Sequence, residues 1–382
     1  MDLYIRNGKV YVDHAFRTAN IVVENGKIAQ ITNEALDPKE VTVYDAKGNY
    51  VLPGCIDVHT HGAVNVDVNA ASVDDLEKLS AFHASQGTTS WLCSILTDTR
   101  EQTLWAIEQY NLFKARHGHH TNLIGIHLEG PFLAPAYKGS MPEHLLTAVN
   151  MDLLEEYQKA ANGDVRYITI APEVEGAVDN IARMKALGIT VSLGHSGADY
   201  ETSMQSIENG ATSITHTFNA MQLLHQHYPA IAGAALESDA YCEAICDGRH
   251  LHPGIVRLLL KAKGLDKVVA ITDSIMATGL PDGKYKLGVN DIVVEDGDAR
   301  LADQNVRAGS TLTSNQSLKN LMKFTGRPLE EVIRLWTENP AKMLGIFEDK
   351  GSIEVNKLAD FVILNEDYDV IDTFVTGKQL NK

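Results

Sequence analysis

Short apolar runs in this chain repeatedly end on histidine or carboxylate. One run closes as Asp57-Val58-His59-Thr60-His61 and another as His127-Leu128-Glu129-Gly130-Pro131. A third leads into Gly194-His195-Ser196, a fourth contains His216, and a last one closes as Thr272-Asp273-Ser274. Imidazole and carboxylate together form a donor set for a divalent ion such as zinc or iron, with one position left open for water. If the first run is a strand, alternation puts His59 and His61 on one face, so both rings can reach a single ion. A His-x-His pair is weak on its own, because His117/His119, His225/His227 and His250/His252 share the spacing and suit solvated loops. What gives His59/His61 weight is position at a strand end beside other strand-end ligands. For Glu129 the alternatives are a salt-bridge partner or a helix cap, and for Asp273 an N-cap on the following helix.

The elements that must position these groups follow from hydrophobic rhythm. After Leu52-Pro53-Gly54, apolar runs alternate with amphipathic stretches of roughly 10–15 residues, the pattern of βα units around a parallel sheet. Eight runs are present: Cys55–His59, Thr88–Ile95, Leu123–Leu128, Val165–Ala171, Thr190–Leu193, Ser213–Thr217, Tyr241–Cys246 and Val268–Thr272. Asp74–Ser85, Glu101–Arg116 and Asp199–Asn209 fit helices between them. Eight is the strand number of a (β/α)8 TIM barrel, whose sites lie at the C-terminal ends of the strands. Residues 1–53 break into β-like pieces, Leu3–Ile5, Lys9–Val12, Ile21–Val23, Lys27–Ile31 and Val41–Asp45, with Asn7-Gly8 and Asn25-Gly26 as turn pairs. Residues 346–382 return to the same alternation. The expected fold class is therefore α/β, with a barrel over 54–345 and one small β-sandwich built from both chain ends. The glycine-rich segment Asp282–Arg307 is expected to form a hairpin insertion near the barrel mouth.

Bulk properties exclude several classes. With 382 residues, 44% hydrophobic and 22% charged, the chain can bury a large core. A formal net charge of −17 opposes nucleic acid and anionic membranes, so an anionic substrate must meet a local positive pocket. Apolar runs stop well short of about 18 residues, and the N-terminus lacks a signal-peptide layout, which gives a cytoplasmic expectation. The four cysteines Cys55, Cys93, Cys242 and Cys246 form no CxxC pair and suggest neither a disulfide framework nor a thiolate zinc knuckle.

Five segments carry a resemblance: Pro53-Gly54-Cys55-Ile56-Asp57-Val58-His59-Thr60-His61-Gly62, His127-Leu128-Glu129-Gly130-Pro131-Phe132, Gly194-His195-Ser196, Thr215-His216-Thr217-Phe218-Asn219-Ala220-Met221 and Asp247-Gly248-Arg249-His250. In these the chain resembles the N-acetylglucosamine-6-phosphate deacetylases of the amidohydrolase superfamily, in register over nearly its whole length. The resemblance implies metal ligation by Glu129, His195 and His216, with His59, His61 and Asp273 able to complete a second site, for one or two divalent ions per subunit. Such an ion lowers the pKa of bound water towards about 7. Asp273 would then move the proton from water to the departing amine, which cannot leave as an anion. It further implies His250 at the acetyl carbonyl, Asn219 and Ala220 at the phosphate of a phosphosugar, and a homodimer. Two positions depart from the family pattern. His227 stands where relatives commonly carry a phosphate-binding arginine, and Met141 where relatives can have histidine or another polar residue. The competing readings are a hydrolase of another acetamido sugar or of a cyclic amide, and an inactive barrel kept as a binding module.

Overall fold

A computed structural model describes residues 1–36, 41–116, 118, 120–304 and 306–380, so the His117/His119 pair lies outside the described residues. Eight parallel strands pair in sequence order, Cys55–Asp57, Thr88–Leu96, Asn122–Glu129, Val165–Ile170, Thr190–Leu193, Ser213–Ile214, Tyr241–Ile245 and Val268–Ile271. Each is followed by a helix, in turn Val73–Ser85, Arg100–Ala115, Met151–Ala160, Ala177–Ala186, Tyr200–Glu208, Ala230–Glu237, Pro253–Lys263 and Ser314–Thr325. The three helices expected from periodicity start where side-chain oxygens cap them: Ser72 with a capping box to Asp75, then Thr99, then Asp199. Between helices and strands runs one continuous apolar core containing Trp91, Tyr110, Phe113, Ile168 and Trp336.

The first and eighth strands close the ring through a seam just beyond their ends. Asp273 N–H donates to His59 O at 2.9 Å, and His61 N–H donates to Ser274 O at 2.8 Å. Below them Thr272 Oγ1–H donates to the buried Asp57 carboxylate at 2.6 Å. Barrel closure and the placing of His59, His61 and Asp273 are thus one event.

Both chain ends build a second sheet. Its order is Lys378–Gln379, Val370–Val375, Phe361–Leu364, Tyr50–Pro53, Leu3–Val12, Ala15–Glu24 and Lys27–Thr32, with Thr42–Asp45 pairing parallel to the first half of Leu3–Val12 and Tyr50–Pro53 to its second half. This sheet curls around its own core of Ile5, Val10, Ile21, Phe361 and Phe374. Asn25-Gly26 is the expected two-residue turn, both residues having positive φ (52° and 71°) as a type I′ hairpin needs. Asn7-Gly8 is different: the two expected pieces are one strand, Leu3–Val12, with a register shift between Ile5 and Gly8, so the pair makes a bulge that re-aims the strand. The turn that follows is Asp13-His14, with φ of 51° and 60°.

The segment after the eighth strand forms three antiparallel strands rather than a hairpin: Gly283–Leu287, Asn290–Glu295 and Asp298–Leu301. Its inner face packs Leu287, Ile292 and Val294 against Leu96, Leu133, Met141 and Ile275, which fixes it over the C-terminal end of the barrel.

A buried ion pair ties barrel to curled sheet. Lys350 Nζ donates to Asp360 Oδ2 at 2.7 Å and to Ser90 Oγ on the second barrel strand at 3.1 Å. Removing one partner of a buried pair strands the other charge, so Lys350→Met is expected to destabilise by about 3 kcal/mol. In thermal unfolding this reads as a midpoint lower by roughly 3–6 °C. A midpoint unchanged within a degree would show that this junction does not hold the two sheets together.

Candidate metal centre

The ends of five barrel strands converge on one point. The third strand turns alternate residues His127 and Glu129 inwards, and both are buried. The fifth and sixth strands stop at Leu193 and Ile214, and His195 and His216 stand two residues beyond. His195, His216 and Asp273 have φ of 48°, 28° and 48°, a region that non-glycine residues rarely occupy. Such strain costs on the order of 1 kcal/mol per residue and persists where the surroundings fix it, commonly at functional sites. Here it turns each side chain into the barrel axis instead of letting the strand continue. It also explains why the sixth strand ends at Ile214 rather than Thr217.

The far nitrogens of three histidines are fixed. His61 Nδ1–H donates to Ser94 O at 3.1 Å and His195 Nδ1–H to Tyr137 O at 2.8 Å; a carbonyl only accepts, so both protons are assigned. His59 Nδ1–H donates to the Glu243 carboxylate at 3.0 Å. The Nε2 atoms therefore face inwards. His59 Nε2 and His61 Nε2 lie 3.1 Å apart, and His195 Nε2 and His216 Nε2 lie 3.0 Å apart. In the first pair both rings are anchored through Nδ1 and, when neutral, turn lone pairs towards each other at that distance, an unfavourable contact unless a cation lies beside both; in the second pair only His195 is so anchored.

Glu129 joins the two pairs. Its Oε1 lies 3.0 Å from His195 Nε2 and 3.2 Å from His216 Nε2, while Oε2 lies 3.2 Å from His61 Nε2. Asp273 Oδ1 is 3.2 Å from His61 Nε2 and 3.6 Å from His59 Nε2. Two groups result, His59/His61/Glu129 and Glu129/His195/His216, each with its ligand atoms within 4.8 Å of one another. Both fit a divalent ion, with Glu129 able to bridge. Asp273 caps no helix, since the helix after the eighth strand begins at Ser314 with Thr313 as its cap.

The electrostatics agree. Burial pulls the His59 and His61 imidazoles down, but Glu129, Glu243 and Asp273 outweigh it at His59, holding it well above its ordinary value, and Asp273 and Glu129 outweigh it at His61, holding it up at about 9. Burial raises Glu129 and Asp273, and the surrounding histidines outweigh it, keeping both carboxyls low. A field that favours protons on these rings favours a metal cation in their place. His127 behaves oppositely: burial and the neighbouring His59 hold it well below its usual value. As a neutral ring it bonds Ser94 Oγ at 3.0 Å and Thr169 Oγ1 at 2.9 Å and supports His59 edge to face, with centroids 4.6 Å apart.

Above the cluster opens a cavity of about 490 Å³ lined by His61, Glu129, His195, His216, Asp273, Asn219, Ala220 and His250. The His250 ring is held by Asp247 at 2.6 Å. Asn219 uses its backbone N–H on His216 O at 2.9 Å. Met141 lines the cavity and is buried in the contact with the three-stranded insertion. His227 lies elsewhere, exposed on the loop after the sixth strand and absent from this cavity's lining. A larger cavity, about 720 Å³, lies at the other end of the barrel beside Asn122 and Ile124, away from both histidine–carboxylate groups.

Residues 50–380 match the amidohydrolase family. The chain belongs to the amidohydrolase family. It is 34% identical over 377 residues to an N-acetylglucosamine-6-phosphate deacetylase of Bacillus subtilis, covering 96% of this chain and 95% of that one. An N-acetylgalactosamine-6-phosphate deacetylase of Escherichia coli O157:H7 is 31% identical over 373 residues, covering 96% and 98%. The crystal structure of N-acetylglucosamine-6-phosphate deacetylase from Pasteurella multocida superposes with a TM-score of 0.93 at 30% identity, covering all of both chains.

One residue that holds the candidate ligands in place escaped the sequence reading. Glu243, on the seventh strand, is fully buried and accepts from His59 Nδ1, from His216 N–H at 3.0 Å and from Tyr167 OH at 2.7 Å. A lone acid inside the apolar run Tyr241–Cys246 was the available signal. Glu243→Gln is expected to weaken divalent-ion binding by about 10–100-fold, the usual cost of losing a carboxylate that orients a ligating imidazole. Equilibrium dialysis against a metal buffer measures this, and wild-type affinity in the folded variant would show that His59 needs no such anchor.

Proposed function

We propose that this amidohydrolase hydrolyses the acetamide of N-acetylglucosamine 6-phosphate, giving glucosamine 6-phosphate and acetate. The observation that carries this reading is the Glu129 carboxylate shared between two histidine pairs, with Asp273 beside it at the floor of a sugar-sized cavity. Glu129, His195 and His216 would hold one divalent ion, and His59, His61 and Asp273 with Glu129 would suit a second. Zinc and iron match the mixed imidazole and carboxylate donors. When bound, such an ion supplies Lewis acidity that makes water a nucleophile at neutral pH.

The protein's own groups do the rest. Asp273 takes a proton from the attacking water as the new C–O bond forms at the acetyl carbon. It returns that proton to the sugar nitrogen as the C–N bond breaks, so the amine leaves neutral. His250, fixed by Asp247, orients the acetyl carbonyl, and the Asn219-Ala220 turn faces the phosphate end. His227 belongs to a partner's cavity in this reading, because Leu223, Leu224 and Tyr228 stand exposed around it and suit burial against a second copy. Sedimentation velocity should then show a homodimer that Leu224→Asp dissociates, and a monomer at every concentration would contradict this part. The chemistry belongs to cytoplasmic amino-sugar breakdown, and no helix among the described residues is long and apolar enough to cross a membrane.

Acetate release tests the reading. N-acetylglucosamine 6-phosphate should be preferred over the unphosphorylated sugar, since remote binding energy can be used at the reacting amide. The galactosamine epimer is the runner-up, suggested by the Escherichia coli relative, and the same assay ranks the two. Asp273→Asn should lower kcat by about 10²–10⁴, the range for a lost general acid–base, while leaving ion binding through Glu129, His195 and His216 largely intact. Normal turnover in Asp273→Asn would remove it from the proton path.

A further inference from the structure

The cavity has two ends of opposite character. Its floor carries Glu129 and Asp273, the only carboxylates among its described lining residues, and its outer wall carries Lys138, Arg300 and Arg307. Both arginines belong to the insertion over the barrel mouth, Arg300 on the strand Asp298–Leu301 and Arg307 on the returning chain, where the two residues form an antiparallel bridge. One carboxylate holds both. Arg300 donates to Asp298 Oδ2 from Nε at 3.0 Å and from Nη2 at 2.7 Å. Arg307 donates from Nε to Oδ1 at 2.9 Å and from Nη2 to Oδ2 at 3.2 Å.

Lys138, Arg300 and Arg307 give this wall of the cavity three cations, and no carboxylate stands beside them among the described lining residues apart from Glu129 and Asp273 on the floor. Burial raises the Asp298 carboxyl, but Arg307 and Arg300 outweigh it and keep it ionised. In a chain of net charge −17, a positive wall on the cavity that also holds the candidate metal-ligand groups calls for an explanation. A guanidinium offers planar, paired donors that match phosphate oxygens, and a carboxylate that fixes its inner edge keeps the fork aimed before a ligand arrives. Neighbouring His227 cannot serve from within the chain, being outside this cavity.

We propose that Arg307 and Arg300, clamped side by side by Asp298, form a phosphate subsite within the same chain and set the preference for a phosphorylated sugar. This rests on the phosphosugar reading above and adds what recognises the phosphate.

The test compares kcat/KM for N-acetylglucosamine 6-phosphate and for N-acetylglucosamine in wild type, Arg307→Gln, Arg300→Gln and Arg307→Lys. Loss of a charge-assisted hydrogen bond should reduce the ratio of the two efficiencies by about 10-fold in each Gln variant, mainly through KM of the phosphosugar. Arg307→Lys, which keeps the charge without the fork, should fall in between. Inorganic phosphate, followed by calorimetry, should bind wild type and bind Arg307→Gln about 10-fold more weakly. A ratio within twofold of wild type, or equal loss on both sugars, would overturn the proposal. If wild type hydrolyses neither sugar, the deacetylase reading has failed, and the phosphate calorimetry still decides whether the subsite exists.

Discussion

Everything in this structure is arranged around a buried carboxylate, Glu129, that four imidazole Nε2 atoms approach within 3.0–3.5 Å. A buried charge surrounded by lone pairs is stable only with compensating positive charge, whether protons or metal. The far nitrogens of three of those rings are bonded to Ser94 O, Tyr137 O and Glu243, so they cannot turn away from the repulsion. The protein thus holds a charge deficit in place with backbone and buried side chains, which is how a scaffold selects a divalent ion before it arrives. The same constraint accounts for the left-handed backbone at His195, His216 and Asp273, conformations that only a surrounding network would maintain.

The barrel supplies the rigidity. Closing it brings the first strand against the eighth, and the seam that does so contains His59, His61 and Asp273 in its backbone hydrogen bonds. The ligands on the third, fifth and sixth strands are held in register by the parallel ladder between them. Above this rigid floor the insertion, packed through Met141, Leu287 and Ile292, walls the cavity with residues whose identity can change without disturbing the ligands. The candidate metal ligands and the arginines proposed to meet the phosphate thus sit on different parts of the chain, and the relatives it matches include deacetylases of both N-acetylglucosamine 6-phosphate and N-acetylgalactosamine 6-phosphate.

Most of the floor was legible in the sequence because each candidate ligand lies at the end of a barrel strand or within four residues beyond it, where apolar periodicity gives way to polar residues. The eight runs were legible for the same reason, since strands buried on both faces read as continuous apolar segments. What was hidden depends on distance or on unusual backbone. Glu243 meets His59 across 184 residues, and no local pattern announces that pairing. The Asp13-His14 turn lacks the glycine that marks such turns, while Asn7-Gly8 has it and makes a bulge. The third strand of the insertion and the shared carboxylate of Arg300 and Arg307 emerge only once Asp298 and the returning chain are folded together.

The central claim is that the Glu129 cluster must be filled by a divalent ion for amide hydrolysis. The most direct measurement strips the protein of metal with a chelator, adds zinc or iron back in steps, and records bound metal and acetate release from N-acetylglucosamine 6-phosphate on the same samples. The account predicts no release from the stripped protein and a rate that rises in proportion to bound ion until the site or sites saturate. Full turnover in protein shown by elemental analysis to be metal-free would contradict it.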